Sequence, residues 1–240
     1  MGASSGLGAA LARQLAREGY LLALLARREA RLADICDQIN QLGGDAQARY
    51  YPHNVTSFDE VPALFQRIAA DLSGIDLVIY VAGTQAAMSE HEYDFEKDAA
   101  MVRVNTLGAM AWLGQAALYF ERAQAGQIVA ISSIAADRGR RANPAYNASK
   151  AALSTYVEGL RNRLSRYGVT VTTIKPGFMD TRLLENAQRT MWVISAEKAA
   201  EQIYTAIRRK KQTVFVPGRW RLVSLIIRHI PSVIFRRLSI

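Results

Sequence analysis

Six short apolar runs alternate along this chain with segments of helical periodicity, and that alternation constrains the fold more than any single residue does. The runs lie at 20–26, 46–51, 75–81, 127–131, 169–175 and 213–216. The first, from Tyr20 to Ala26, is continuously apolar, as expected of a parallel strand covered on both faces. The fifth, from Val169 to Lys175, is rich in β-branched residues and closes at Pro176-Gly177, a strand followed by a stop signal. Helices are expected from about Glu29 to Leu42, Phe58 to Leu72, Asp94 to Ala123, Tyr146 to near Gly168, and Ala196 to Arg209. Such alternation with short connections predicts an α/β fold: a doubly wound parallel sheet, helices on both faces, ligands at the carboxyl ends of the strands. A chain of 240 residues, half of them hydrophobic, can bury its core as one domain. That domain is expected over 1–217, with a basic amphipathic tail over 218–240.

The chain opens with Met1-Gly2-Ala3-Ser4-Ser5-Gly6-Leu7-Gly8 and continues as a helix that stops at Gly19. Glycines at 2, 6 and 8 suit a tight turn whose backbone approaches a pyrophosphate, with the N-terminal amides of the next helix completing an anion site. The spacing is G-x-x-x-G-x-G, not G-x-G-x-x-G, and alone it reads equally well as a plain strand-to-helix turn. A phosphate-cradling turn follows a buried strand, yet only Met1 stands before Gly2. The first strand of the sheet is not visible. Losing a central strand leaves its neighbours' backbone groups unpaired, so the favoured expectation is a start placed too late, with roughly six to eight apolar residues upstream.

The single cysteine, Cys36, excludes an internal disulfide, and His53, His91 and His229 have no metal-ligand spacing. No metal and a reducing, cytoplasmic setting are the defaults. No run approaches the ~18 apolar residues that span a bilayer, and no basic-then-apolar leader opens the chain. The net charge is +9, but nine of the 30 basic residues follow Glu201, beyond which no acidic residue remains. The first 201 residues carry 21 basic and 21 acidic groups. The charge therefore belongs to the tail, and a general nucleic-acid-binding surface is disfavoured.

Tyr146-Asn147-Ala148-Ser149-Lys150 places a phenol and an ammonium four residues apart, on one face of a helix. A nearby cation favours phenolate and lowers a tyrosine pKa from about 10, which makes the side chain a proton donor and acceptor near neutrality. Taken alone this spacing is common, and an incidental pair on a helix explains it equally well.

With its surroundings, the chain resembles the short-chain dehydrogenase/reductase family over roughly Gly2 to Val216. The motifs fall in the family's order: GASSGLG at 2–8, AG at 82–83, an asparagine at 105, ISS at 131–133, YNASK at 146–150 and PG at 176–177. The resemblance implies a Rossmann-like fold and a nicotinamide cofactor. Its cofactor contacts would fall on Gly2, Ser4, Ser5, Gly6, Leu7, Gly8, Ala82, Gly83, Pro176 and Gly177. It also implies that Tyr146 protonates a carbonyl oxygen as hydride arrives, that Ser133, thirteen residues before it, polarises that oxygen, and that Lys150 binds the nicotinamide ribose and depresses the Tyr146 pKa. Asn105 would hold a water in a relay to Lys150. Preorganised donors stabilise the developing alkoxide, and the cofactor carries the hydride chemistry. Two positions depart from the family pattern. Asn54-Val55 stands where Asp-Val is usual, leaving Asn54 to accept from the adenine, and Tyr80-Val81 replaces two asparagines that tie the central strands.

Cofactor choice is read at the end of the second strand of that fold. An acidic residue there favours NAD(H), but Ala26 is followed by Arg27. A guanidinium can meet a 2′-phosphate, with Ser5 nearby, so NADP(H) is expected over NAD(H).

The segment from Ile134 to Ala145, with Asp137, Arg138, Arg140 and Arg141, and an irregular lid with Phe178, Met179, Leu183, Leu184, Met191 and Trp192 are expected to form the substrate pocket. The apolar lid points to a small hydrophobic alcohol or ketone. The tail mixes Trp220, Leu222, Leu225, Ile226, Ile227, Ile230, Ile234 and Phe235 with arginines and is broken by Pro231. It suits a membrane interface, as in family members acting on lipids, and equally a helix packed on the domain or on a second subunit. Apolar residues on several sides of the Tyr146 helix, and the pairing usual in the family, imply a homodimer or homotetramer. Two other readings stand beside the reductase: a sugar-nucleotide epimerase, against which the short C-terminal region argues, and a catalytically silent membrane-associated or scaffold protein.

Overall fold

The structure, a computed structural model, describes every residue except 42–46, 182–183, 185–189 and 239–240. The first half of the chain forms α1 (Gly6–Arg17), β1 (Leu22–Ala26), α2 (Glu29–Asn40), β2 (Ala48–Pro52), α3 (Val61–Asp71) and β3 (Leu77–Tyr80). The second half begins with α4 (Phe95–Val102), a π-helical turn (Arg103–Leu107), α5 (Gly108–Ala123), β4 (Gln127–Ile131), α6 (Pro144–Leu164) and β5 (Thr170–Pro176). It continues through β6 (Met179–Asp180), β7 (Ile194–Ser195), α7 (Ala196–Arg208), β8 (Thr213–Val216), α8 (Trp220–His229) and α9 (Ser232–Phe235). Leu183 of the expected lid lies outside the described residues, as does the helix end expected at Leu42.

Every strand pairing among the described residues is parallel, in the order β3-β4-β5-β8 with β1-β2 beside it. One face packs on α3, α5 and α6 through Phe65, Trp112, Phe120, Leu153 and Leu160. The other packs on α1 and α7 through Leu7, Leu11, Ile203 and Ile207, with α2 covering β1 and β2 through Leu32 and Ile35. This is the doubly wound α/β fold that the alternation of runs implies.

Between β1 and β3 the ladder is interrupted. Met1 to Ala3 bridge it at one end only: Gly2 N and Ala3 N donate to Leu25 O (2.8 and 3.1 Å), the Met1 amine donates to Ile79 O (2.9 Å), and Val81 N and Ala82 N donate to Met1 O (3.0 and 3.1 Å). Burial pushes the Met1 amine down to about 5. Below this bridge lies a cavity of about 420 Å³, lined by Leu11, Leu15, Leu24, Val78, Ile79 and Trp112. Among the described residues no strand pairs between β1 and β3, and the covering helices cannot close such a slot onto backbone.

The expected helix from Asp94 to Ala123 is divided by the π-helical turn, which carries Asn105. One extra residue per turn rotates the following helix, and such bulges concentrate at functional sites. Tyr80, in place of a family asparagine, is buried and its hydroxyl donates to Val104 O in that turn (2.6 Å), so it ties β3 to the helix pair by another route.

Two of the arginines expected around the substrate, Arg138 and Arg141, hold the tail. The Arg138 guanidinium donates to Ile227 O (2.9 Å), to Ile230 O and to Ser232 Oγ (3.3 Å), and Arg141 donates to Arg236 O. Asp137 accepts from Lys175 Nζ and from Ser224 Oγ, both at 2.5 Å. Carbonyls at a helix C-terminus carry partial negative charge, which these guanidinium groups satisfy.

Candidate active site

The residues that bring Tyr146 into position begin three positions earlier. Asn143 caps α6, its Oδ1 accepting from Tyr146 N (3.0 Å) while its Nδ2 donates to Ala86 O (3.0 Å), and Pro144 sits in the first turn. An Asn-Pro pair is an efficient helix start, because the cap satisfies an orphan amide and proline has none to lose there. Lys150 follows one turn on and is 3% exposed, its Nζ donating to Ile131 O at the end of β4 (2.9 Å). Ser149 links the groups: its hydroxyl donates to Tyr146 O (2.8 Å) and accepts from Asn105 Nδ2 (3.0 Å).

Asn105 is fully buried, and its amide exchanges two further bonds with Thr84, Oδ1 accepting from Thr84 N (2.8 Å) and Nδ2 donating to Thr84 O (2.9 Å). It is thus a clamp between the β3 loop, the π-helical turn and α6. A Cβ added to Gly83 would sit 3.2 Å from Lys150 Nζ and 3.3 Å from Asn105 Oδ1, so a small residue there keeps the two side chains within one cleft. Ser132 and Ser133 divide their tasks. Ser132 Oγ is engaged with Lys150 O (3.1 Å) and Ser154 Oγ (2.7 Å), behind α6. Ser133 caps the short turn Ile134–Asp137, accepting from Ala135 N (3.0 Å), and its hydroxyl lies near enough to the Tyr146 phenol to lower the phenol's pKa.

Burial pushes the Tyr146 pKa up from its ordinary value, against the opposing effects of the Ser133 hydrogen bond and the Arg140 charge. Lys150 is not among the groups that lower it. Its ammonium is turned to the Ile131 carbonyl, and desolvation lowers its own pKa to about 8. Where the sequence pointed to Lys150 as the cation beside the phenol, Arg140 also acts on it here, and burial in turn pushes the Arg140 pKa down.

The glycine turn lies at the carboxyl ends of β1 and β3. Gly2 has φ +86°, and a Cβ there would meet Ala82 N at 2.7 Å; at Gly8 it would meet Gly2 O at 2.1 Å. These are positions that only glycine fills. Ser5 precedes α1 without using its side chain as a cap, which leaves the first amides of α1, at Gly6 and Leu7, aimed into the cleft. The Leu7 side chain itself is buried in the core against α7. Arg27 is exposed at the end of β1, whereas the neighbouring Arg28 donates to Ser4 Oγ (2.9 and 3.2 Å) and Ser5 Oγ (2.6 Å). A polar groove of about 450 Å³ opens beside these serines, with Arg13 and Arg31 on its wall. Asn54 is exposed, its Oδ1 accepting from Thr56 N (3.3 Å), and Val55 is buried beneath it. Pro176 ends β5, and Gly177 lies under the indole of Trp220, where a Cβ would approach Nε1 to 1.9 Å.

All the site residues expected from the sequence thus collect at the carboxyl ends of the strands, in two neighbouring groups. One surrounds the glycine turn; the other surrounds Tyr146. Sequence reasoning passed over Asn143, Ser149 and Arg28, although the Asn-Pro pair at 143–144 is a helix-start signature.

Comparison with known proteins places this geometry. The family model described as short chain dehydrogenase matches residues 1–192. An uncharacterized oxidoreductase of Mycobacterium tuberculosis is 30% identical over 217 residues, covering 90% of this chain and 86% of that protein. A short-chain dehydrogenase from Sphingobium yanoikuyae, solved in complex with NADPH, shares the fold with a TM-score of 0.83 at 23% identity, over 96% of this chain and 94% of the other. An NAD+-bound xylitol dehydrogenase is 30% identical, with a TM-score of 0.70 over 74% of this chain and 68% of the other. The chain belongs to the short-chain dehydrogenase family and is an oxidoreductase.

Proposed function

We propose that this protein is an NADPH-dependent oxidoreductase that interconverts a carbonyl and a primary or secondary alcohol on a hydrophobic substrate, with Tyr146 as the acid and base. The observation that carries this reading is the Tyr146 phenol beside Ser133, with Lys150 one helical turn along in the same cleft. Burial keeps the phenol protonated at neutral pH, which suits a group that must give up a proton.

The glycine turn fits a dinucleotide pyrophosphate, because Gly2 and Gly8 let the turn close tightly on the backbone of Ala82 and of Gly2 itself, while the first amides of α1 remain open. Lys150 and the backbone at Gly83 would hold the nicotinamide ribose, and Asn54 the adenine edge. When bound, the cofactor supplies a hydride to the carbonyl carbon and leaves oxidised. Tyr146 Oη gives its proton to the substrate oxygen, and Ser133 donates a hydrogen bond to that oxygen as negative charge grows on it. Asn105, already committed to Thr84 and Ser149, fixes the loop and helix that frame the site. Arg28 on the two serine hydroxyls, with Arg27 beside it and no acid at this strand end, supports a 2′-phosphate. So does the NADPH bound by the Sphingobium yanoikuyae relative. The lid residues Phe178 and Trp192, packed edge-on to Trp220 at 5.7 and 5.4 Å, support an apolar substrate.

The test is oxidation of NADPH and of NADH against a panel of hydrophobic ketones and aldehydes. Turnover preferring NADPH is expected; turnover with NADH alone, or none across the panel, contradicts the reading. Leu107 and Leu118, each near half exposed on and beside α5, support association of subunits. Light scattering should give a dimer or tetramer, and a monomer mass would contradict it.

A further inference from the structure

α8 is apolar on two opposite faces. Trp220, Ser224 and Ile227 are buried against the domain, while Leu222, Leu225 and Ile226 point away from it, 63, 55 and 55% exposed. Beyond Pro231, Val233 and Ile234 of α9 are exposed as well, at 57 and 52%. The inner face is already covered by the domain, and an exposed apolar cluster of this kind on the other face marks a docking surface. Its border is cationic. Arg221 and Arg228 lie between the two faces by helical spacing, Arg219, Arg236 and Arg237 are exposed, and no acidic residue follows Glu201.

We propose that this outer face docks the protein on an anionic lipid bilayer, with α8 lying in the plane of the headgroups. Charge complementarity selects that occupant: apolar side chains enter the acyl boundary while flanking arginines meet anionic headgroups. A second copy of the chain seated on the same face would bury this basic patch against itself, with no acidic residue after Glu201 to pair its arginines. Ten residues form a helix about 15 Å long, and no described helix is long and apolar enough to cross a membrane. The inner face gives the docking a direction. Trp220 covers Gly177, Ser224 bonds Asp137, and Arg138 holds Ile227 O, so the helix is fastened to both segments that frame Tyr146. The exposed Met191 and Val193 flank Trp192, which stacks edge-on to Trp220. Docking through the outer face therefore holds the segments that frame the site close to the bilayer, and its substrates are ketones or alcohols that partition into lipid. This last point rests on the proposed reductase activity; the docking does not.

The experiment is sedimentation of the full chain with vesicles of phosphatidylcholine alone and of phosphatidylcholine mixed with phosphatidylglycerol, at low and high salt. Binding to the mixed vesicles, weakened by salt, is expected. Leu225→Glu/Ile226→Glu should lower vesicle affinity by about tenfold or more, and Arg221→Glu/Arg228→Glu by about fivefold per charge. Both variants should melt at the wild-type temperature, because the changed side chains are exposed. Wild-type protein that stays in the supernatant at low salt, or a Leu225→Glu/Ile226→Glu variant that binds like wild type, would overturn the proposal. So would a dimer that dissolves in that variant while neither form binds vesicles.

Discussion

Arg28 reaches the glycine turn, and Arg27, one residue earlier, points to solvent. Charge-assisted hydrogen bonds contribute about 1.5–3 kcal/mol, so Arg28→Ala should weaken NADPH relative to NADH by about tenfold or more in a fluorescence titration. Arg27→Ala should do less; the reverse order would restore the sequence-based assignment. Two adjacent arginines at a strand end are indistinguishable in sequence, and only the twist of the chain into α2 decides which one folds back. Lys150 makes a second prediction. Its folded pKa of about 8 lies below the ordinary value near 10.4, so between those limits the unfolded chain binds the extra proton and stability from this group rises with pH. Below about pH 8 its burial costs roughly 3 kcal/mol. Wild type should therefore gain on Lys150→Met by up to that amount as the pH is raised from 8 toward 10.4. A difference in unfolding free energy that stays constant with pH would count against a cationic, desolvated Lys150.

At the scale of elements, the site depends on where helices begin and bend. The start of α6 was legible in Asn143-Pro144, and the pairing of Tyr146 with Lys150 follows from helical spacing alone. The π-helical turn was not legible, because one extra residue barely disturbs an apolar periodicity spread over thirty residues, whereas it decides that Asn105 faces Thr84 and Ser149. The junction of β5 with α8 was legible only as separate pieces. A glycine after Pro176 read as a turn, and a tryptophan at 220 as part of a tail, yet the indole occupies the space a Cβ at 177 would need. Gly177→Ala should therefore displace Trp220 and cost about 1–3 kcal/mol, with faster tryptic cleavage at the arginines after 218. Cleavage at the wild-type rate would mean that α8 is held without Trp220.

At the scale of the whole molecule, parallel topology and the two covering layers follow from the alternation of runs, since each apolar run must be buried on both faces. The slot between β1 and β3 interrupts that core. Filling about 420 Å³ at roughly 24 cal/mol per Å³ bounds the gain near ~10 kcal/mol; ordering an added strand of about six residues costs about 6–12 kcal/mol at roughly 1–2 kcal/mol each, so the net gain comes from the ladder hydrogen bonds it adds, at roughly 0.5–1.5 kcal/mol each. A short apolar, β-branched extension ahead of Met1 should still raise the melting temperature by several degrees, at roughly 2–4 °C per kcal/mol for a domain of this size. An unchanged melting temperature would mean that the slot does not accept a strand. The central claim concerns the cleft at the other end of the sheet, where Ser133, Tyr146 and Lys150 converge, and Tyr146→Phe tests it most directly. With NADPH and a hydrophobic ketone, the variant should lose about a hundredfold or more in turnover while binding NADPH as wild type does; turnover that survives the loss of this single hydroxyl would contradict the account.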